Sequence, residues 1–300
     1  MNFLFFYIIL VSTSLLGNSF ITDIGRCTIV IYDGEIDEIL DIKKLIINES
    51  KKLTYEFGKV NKKPFSVYIT SNMEEFYEKS EGPVPEWGIA IAKNKPDKII
   101  IKAPGIANIS YSRLKTIIIH ELNHIYIYRI PNYQTMPSWF KEGLAMYSAK
   151  EFSLLHKIEI SNAQWTKKLF SLSQLNNFIN YSADIIKLAY GQSAAAVESL
   201  EYYYGNSILN QILNFMQKNN DFNTALELSI KEKLQDFEIK YENYLRNNYT
   251  WLFLLRSPKY IYIILPIILT LGYIYHYYRN KKILKKWEIE EQLEDAKWLD

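Results

Sequence analysis

Short β-branched runs in the first hundred residues predict strands, and apolar residues at helical spacing predict helices between them. Strand patterns occupy residues 27–32, 65–69, 87–92 and 98–101. Residues 94–97 favour a turn between the last two strands, while 36–57 and 73–79 have helical spacing. From residue 110 to residue 249 the pattern is helical almost throughout. The chain is therefore predicted to be an α+β domain with a small N-terminal mixed sheet and a mainly helical C-terminal part.

One segment has two competing predictions. Residues 116–128 are rich in Ile and Tyr, so local propensity favours a strand. The same segment contains His120 and His124. On a helix, positions four apart share a face and lie about 6 Å apart along the axis. On a strand they would be about 13 Å apart, too far to hold one ion. We predict a helix, because only a helix brings these two side chains close enough to hold one ion.

The string His120-Glu121-Leu122-Asn123-His124 matches the H-E-x-x-H pattern of zinc enzymes. The chain has only four histidines, and two of them fall in this pattern. Two imidazoles at this spacing can bind one zinc ion at roughly 2.0–2.1 Å each. Glu121 lies one step round the helix, where it can act as a general base on water. The alternative is a pair of hydrogen-bonded histidines on a buried helix.

Glu142 is the candidate third ligand, with seventeen residues between it and His124. Catalytic zinc usually keeps three protein ligands and one open position. Pro137 is suited to begin the helix that carries Glu142. A solvated surface acid is the alternative, but a buried acid needs a partner, and the neighbours of Glu142 are apolar: Trp139, Phe140, Leu144 and Ala145. We predict one zinc ion per chain, bound by His120, His124 and Glu142.

The bulk composition adds mainly exclusions. The formal net charge is +2 and 48% of residues are hydrophobic, so the charge gives no argument for nucleic-acid binding. Cys27 is the single cysteine, which excludes an internal disulfide.

Both ends of the chain have apolar segments. Residues 3–16 form a mainly apolar run, and small or polar residues follow up to Ser19, which predicts a signal peptide over 1–19. An uncleaved anchor is the alternative. Residues 260–278 are uncharged and long enough for a transmembrane helix, with a buried core helix as the alternative. Basic residues follow directly: Arg279, Lys281, Lys282, Lys285 and Lys286.

These basic residues indicate the cytoplasmic side of a membrane. Residues 279–300 are therefore predicted to be a cytoplasmic tail. We predict a single-pass membrane protein. Its domain, residues 20–250, lies outside the cytoplasm, and the chain contacts the lipid bilayer through the C-terminal helix.

The metal motifs resemble those of the gluzincin zinc peptidases, and the closer similarity is to the bacterial peptidase MA-like domain family. The residues that carry it are the H-E-x-x-H string and Trp139 to Ala145, with weaker support from segments 85–90 and 189–193. This resemblance implies a zincin-like fold, an active-site helix and a peptide or protein substrate. It implies zinc on His120, His124 and Glu142, with Glu121 as the catalytic base.

The resemblance also suggests that Tyr190 hydrogen-bonds the oxyanion formed during carbonyl attack. An ordinary packing role is the alternative, since Tyr190 is one of 24 tyrosines. An extended substrate is expected to pair with the strand at 87–92.

Two departures from the family pattern stand out. Met146 occupies the position four residues after Glu142 where relatives often carry an acid, so any carboxylate that orients a zinc histidine must come from elsewhere. The chain also lacks the Gly-x-Met-Glu-Asn string of aminopeptidases, which favours an endopeptidase. The competing hypothesis is a catalytically inactive zincin-like domain that serves as an extracytoplasmic interaction or sensor module.

Overall fold

The computed structural model describes residues 19–31, 36–82, 84, 88–176, 183–256 and 258–297. The chain divides into two compact units, Met1–Thr250 and Trp251–Asp300. The predicted signal peptide lies outside the described residues except for Ser19, which is the first residue of a strand.

Five strands form one mixed sheet in the order β1-β2-β3-β5-β4. They are β1 Ser19–Thr22, β2 Gly25–Ile31, β3 Phe65–Thr70, β4 Ala90–Asn94 and β5 Asp97–Lys102. Strands β2, β3 and β5 are parallel, while β1 and β4 are antiparallel strands at the two edges. The small mixed sheet is confirmed. Strand β1 was not predicted. Of the predicted strand at 87–92, residue 87 lies outside the described residues, residues 88 and 89 are not in a strand, and β4 begins at Ala90.

Helices make up most of the remainder, as the sequence predicts. They are α1 Ile36–Phe57, α2 Met73–Ser80, α3 Pro104–Ala107, α4 Tyr111–Ile127, α5 Ser138–Ser148, α6 Leu154–Trp165, α7 Ala183–Tyr204, α8 Ile208–Gln217, α9 Phe222–Ile230, α10 Leu234–Tyr249 and α11 Pro258–Lys297. The disputed segment 116–128 is helical, within α4 and its C-terminal cap. Helix α4 is buried against α1, β4 and β5, so packing overrides the strand propensity of its Ile and Tyr residues.

The C-terminal end of α4 is fixed to the sheet by Arg129. The guanidinium contacts the carboxylate of Asp97 at 3.0 Å and donates to the carbonyl of Lys63 at 3.1 Å. Along α4 itself, Ile118, Leu122 and Ile125 are fully buried at helical spacing. These contacts hold the histidine-bearing face of α4 beside the edge strand β4.

Helix α5 packs closely on α7 at Gly143. A Cβ atom at Gly143 would overlap the carbonyl oxygen of Ser193 and lie 2.8 Å from a methyl group of Val197. Only glycine permits this approach, which sets how near α5 lies to its neighbour.

The C-terminal unit contains α11, which includes the predicted transmembrane segment 260–278. In the described part of the chain, no helix is long and apolar enough to cross a membrane. The structure thus gives no support to the transmembrane prediction.

Candidate metal centre

Two helices with well-defined starts bring the predicted ligands together. Helix α4 carries His120 and His124 and begins after Ser110, whose hydroxyl accepts a hydrogen bond from the Arg113 amide at 3.2 Å. Helix α5 carries Glu142 and begins directly after Pro137, close to the predicted start. The sequence-predicted ligands therefore lie on two consecutive helices.

The three candidate ligand atoms form a nearly equilateral triangle. The Nε2 atoms of His120 and His124 are 3.2 Å apart. Glu142 Oε2 is 3.5 Å from Nε2 of His120 and 3.4 Å from Nε2 of His124. Tetrahedral ligands at zinc bond lengths of 2.0–2.1 Å are separated by about 3.3 Å. The triangle therefore has the size that one zinc ion requires.

Burial supports the same assignment. Glu142 Oε2 is buried, and apart from its contacts with the two imidazoles it has no hydrogen-bond partner among the described residues. Such a carboxylate oxygen is costly unless a cation compensates it. Among the described residues, His120, His124 and Glu142 are the one group of three or more His, Cys, Asp or Glu side chains close enough to hold a metal ion. The residues present fit a zinc cofactor.

The electrostatics of the metal-free site show strong coupling between these side chains. Burial opposes the charged form of His120, but the carboxylates of Glu142 and Glu151 outweigh burial and raise its pKa to about 10. Burial likewise opposes the charged form of Glu142, yet the neighbouring histidines hold its pKa well below its ordinary value. A cation, whether a proton or a metal ion, is thus strongly favoured at this triangle.

Glu121 lies beside the triangle without joining it. Its side chain lines a cleft of about 300 Å³, whose other walls include Gly88, Ile89, Ala90, His120 and Tyr190. Glu121 is 8% exposed, and burial is the main cause of its raised pKa. A carboxylate with a raised pKa at the edge of an open cleft is suited to accept a proton.

Tyr190 reaches the same cleft from α7. The negative charge of Glu142 is the main cause of its raised pKa, and burial adds to it. The phenol therefore stays protonated and can donate a hydrogen bond. The structure brings Tyr190 to the site, while its role in catalysis stays a prediction.

Sequence reasoning missed two residues at this site. Glu151 Oε2 lies 2.7 Å from Nδ1 of His120, and Arg113 Nη1 lies 2.6 Å from the other carboxylate oxygen. Burial would raise the pKa of Glu151, but His120 and Arg113 hold it below its ordinary value. Met146 had indicated that another carboxylate was needed, but no local pattern identified which one.

The sequence model of the Peptidase MA superfamily matches residues 47–247, a range that includes the whole metal centre. No curated protein matches the chain. Among solved structures, a two-domain M1 zinc metallopeptidase mutant bound to L-arginine is similar at 12% identity and a TM-score of 0.43. The M1 zinc metallopeptidase from Deinococcus radiodurans is similar at 15% identity and a TM-score of 0.42.

Both matches cover 74% of this chain and 48% of the other, so the chain spans about half the length of these structures. The family match covers two thirds of the chain and contains all three ligands. On that basis, the chain belongs to the Peptidase MA superfamily.

Proposed function

We propose that the protein is a zinc-dependent peptidase. The observation that carries the proposal is the position of Glu121, which is buried beside the ligand triangle and lines an open cleft. A structural zinc site would need no such carboxylate, because structural sites fill all four positions with protein ligands.

The chemistry divides between the metal and the side chains. When bound, zinc supplies Lewis acidity that polarises a carbonyl and makes water more acidic. Glu121 accepts a proton from the attacking water and passes it to the leaving amine. Tyr190 donates a hydrogen bond to the oxygen that becomes negative during attack. The raised pKa of each group suits its role, since Glu121 must take up a proton and Tyr190 must keep one.

Strand β4 offers a binding edge for an extended substrate. It is the last strand of the described sheet on the side of the cleft, and Ala90 belongs to both. A peptide that hydrogen-bonds along this edge would place its carbonyl groups beside Glu121. We propose an endopeptidase, which is supported by the missing aminopeptidase string in the sequence.

The test uses the full chain with zinc and fluorogenic peptides, both N-acetylated and with free N-termini. Cleavage of the acetylated peptides supports an endopeptidase, whereas cleavage of the free peptides alone supports an aminopeptidase. Glu121→Gln is expected to reduce kcat by about 10²–10⁴-fold while keeping zinc. The matched control is Glu201→Gln, a half-buried carboxylate that contacts Tyr147 and lies outside the cleft. A zinc-loaded parent that cleaves none of a broad peptide set would contradict the proposal.

We also propose that the catalytic unit acts outside the cytoplasm and that the chain associates with a lipid bilayer through α11. The apolar N-terminal segment and the basic cluster after residue 278 support this placement. Apolar side chains of α11 are exposed, including Leu265, Ile268 and Leu271. The membrane association is tested by asking whether the full chain still sediments with membranes after an alkaline wash. A chain that ends at residue 256, and so lacks α11, is the control. Recovery of the full chain in the supernatant would overturn the membrane association.

A further inference from the structure

His120 uses both ring nitrogens. Its Nε2 atom faces the ligand triangle, and its Nδ1 atom lies 2.7 Å from Glu151 Oε2. A metal ligand needs a free lone pair on the coordinating nitrogen, so Nδ1 must carry the proton and donate a hydrogen bond to the carboxylate. This hydrogen bond fixes the tautomer and ring orientation that zinc requires.

Glu151 is itself held from two directions. Arg113 Nη1 contacts Oε1 at 2.6 Å, which leaves Oε2 for His120. The backbone amide of Glu151 donates to the carbonyl of Met146 at 2.9 Å, and the Lys150 amide donates to the carbonyl of Tyr147 at 3.1 Å. Lys150 has a φ of 56°. This pattern is a Schellman motif at the end of α5, and it turns the chain so that Glu151 points back at α4.

The side chain of Met146 is not suited to accept this hydrogen bond. It lies on α5 four residues after Glu142, is 4% exposed and lines the cleft. Its thioether is at most a weak acceptor. The carboxylate that orients His120 therefore comes from the turn after α5 and not from α5 itself.

We propose that Glu151 is a positioning residue for zinc ligand His120 and that Arg113 holds Glu151 in place. The inference rests on the zinc centre of the proposed function and not on its peptidase activity. Loss of such a carboxylate typically weakens metal binding by about 10–100-fold.

The test measures the zinc affinity of the metal-free full chain by competition with a chromophoric chelator. Glu151→Ala is expected to weaken binding about 10–100-fold. Glu151→Gln is expected to lose less, because its amide oxygen still accepts from Nδ1. Arg113→Ala is expected to cause a smaller loss than Glu151→Ala, since the carboxylate remains but is less constrained. Glu201→Ala is the matched control and is expected to keep the affinity of the parent.

A second readout separates positioning from a general effect on folding. In zinc-loaded protein labelled with ¹⁵N-histidine, the Nδ1 proton of His120 should give a protected, hydrogen-bonded signal. Glu151→Ala should lose this signal while Glu201→Ala keeps it. If Glu151→Ala fails to fold, Glu151→Gln and Arg113→Ala decide the question.

Folded variants with the zinc affinity of the parent and an unchanged Nδ1 signal would overturn the inference. A parent that binds zinc tightly but cleaves no peptide would instead refute the proposed function and leave the role of Glu151 standing.

Discussion

Glu142 Oε2 lies 3.4 Å from Nε2 of His124, although seventeen residues separate the two in the chain. This contact joins α5 to α4 and completes the ligand triangle. The position of α5 in turn depends on its close packing against α7 at Gly143. The metal site therefore depends on helix packing as well as on the H-E-x-x-H string.

Gly143→Ala tests that dependence. The added methyl group would overlap the Ser193 carbonyl and force α5 away from α7. We expect a loss of about 1–3 kcal/mol in the free energy of unfolding, measured with urea, together with weaker zinc binding. Gly105→Ala in α3 is the control, because outside its own helix its new methyl group would meet no atom of the described residues within 4 Å. Equal stability and zinc affinity in Gly143→Ala and the parent would show that the metal site does not depend on the close packing of α5 against α7.

Much of this arrangement could be predicted from the sequence, because the metal chemistry restricts it. The spacing of His120 and His124 is compatible with zinc only on a helix, and this decided correctly against local strand propensity. Pro137 identified the start of the helix that carries Glu142 to within one residue. These predictions succeeded because each short sequence pattern fits zinc binding in only one local structure.

The part of the site that was missed depends on a tertiary contact. Glu151 approaches His120 only because the chain turns at Lys150, where a lysine adopts a conformation usually signalled by glycine. Strand β1 was missed because the predicted signal peptide ends at Ser19 and the pattern of residues 20–22 is too short to predict a strand. The predicted transmembrane helix, which rests on the uncharged run at 260–278 and on the basic residues that follow it, stays a prediction.

Removal of zinc should make stability depend on pH in a defined window. In the metal-free protein the folded pKa of His120 is about 10, above its ordinary value of 6.5. A raised pKa contributes stability that is fully present below pH 6.5 and is lost as the pH rises through 10. The raised pKa of Glu121 acts in the same direction. We therefore expect the Tm of the metal-free protein to fall between pH 6.5 and pH 10.

Thermal unfolding with and without a chelator measures this effect. The zinc-loaded protein should show little of the decline, because the metal replaces the proton on Nε2. Metal-free His120→Ala should show a shallower slope than the metal-free parent. A metal-free parent with a constant Tm across this window would contradict the proposed coupling.

Tyr190→Phe tests the oxyanion role. The substitution removes the hydroxyl and keeps the ring, so zinc binding and folding should be unchanged. We expect kcat to fall by about 10²–10³-fold with little change in KM. Tyr147→Phe is the control, because that hydroxyl contacts Glu201 outside the cleft. Full activity in Tyr190→Phe would assign Tyr190 to packing.

The most direct test of the central claim is the zinc content of the purified full chain, measured by elemental analysis beside two variants. We predict nearly one zinc per chain in the parent, a large loss in His124→Ala, and retention in Glu121→Gln, because Glu121 lies outside the ligand triangle. A folded parent that holds no zinc after incubation with the metal would contradict the account, and so would a Glu121→Gln variant that loses zinc as completely as His124→Ala.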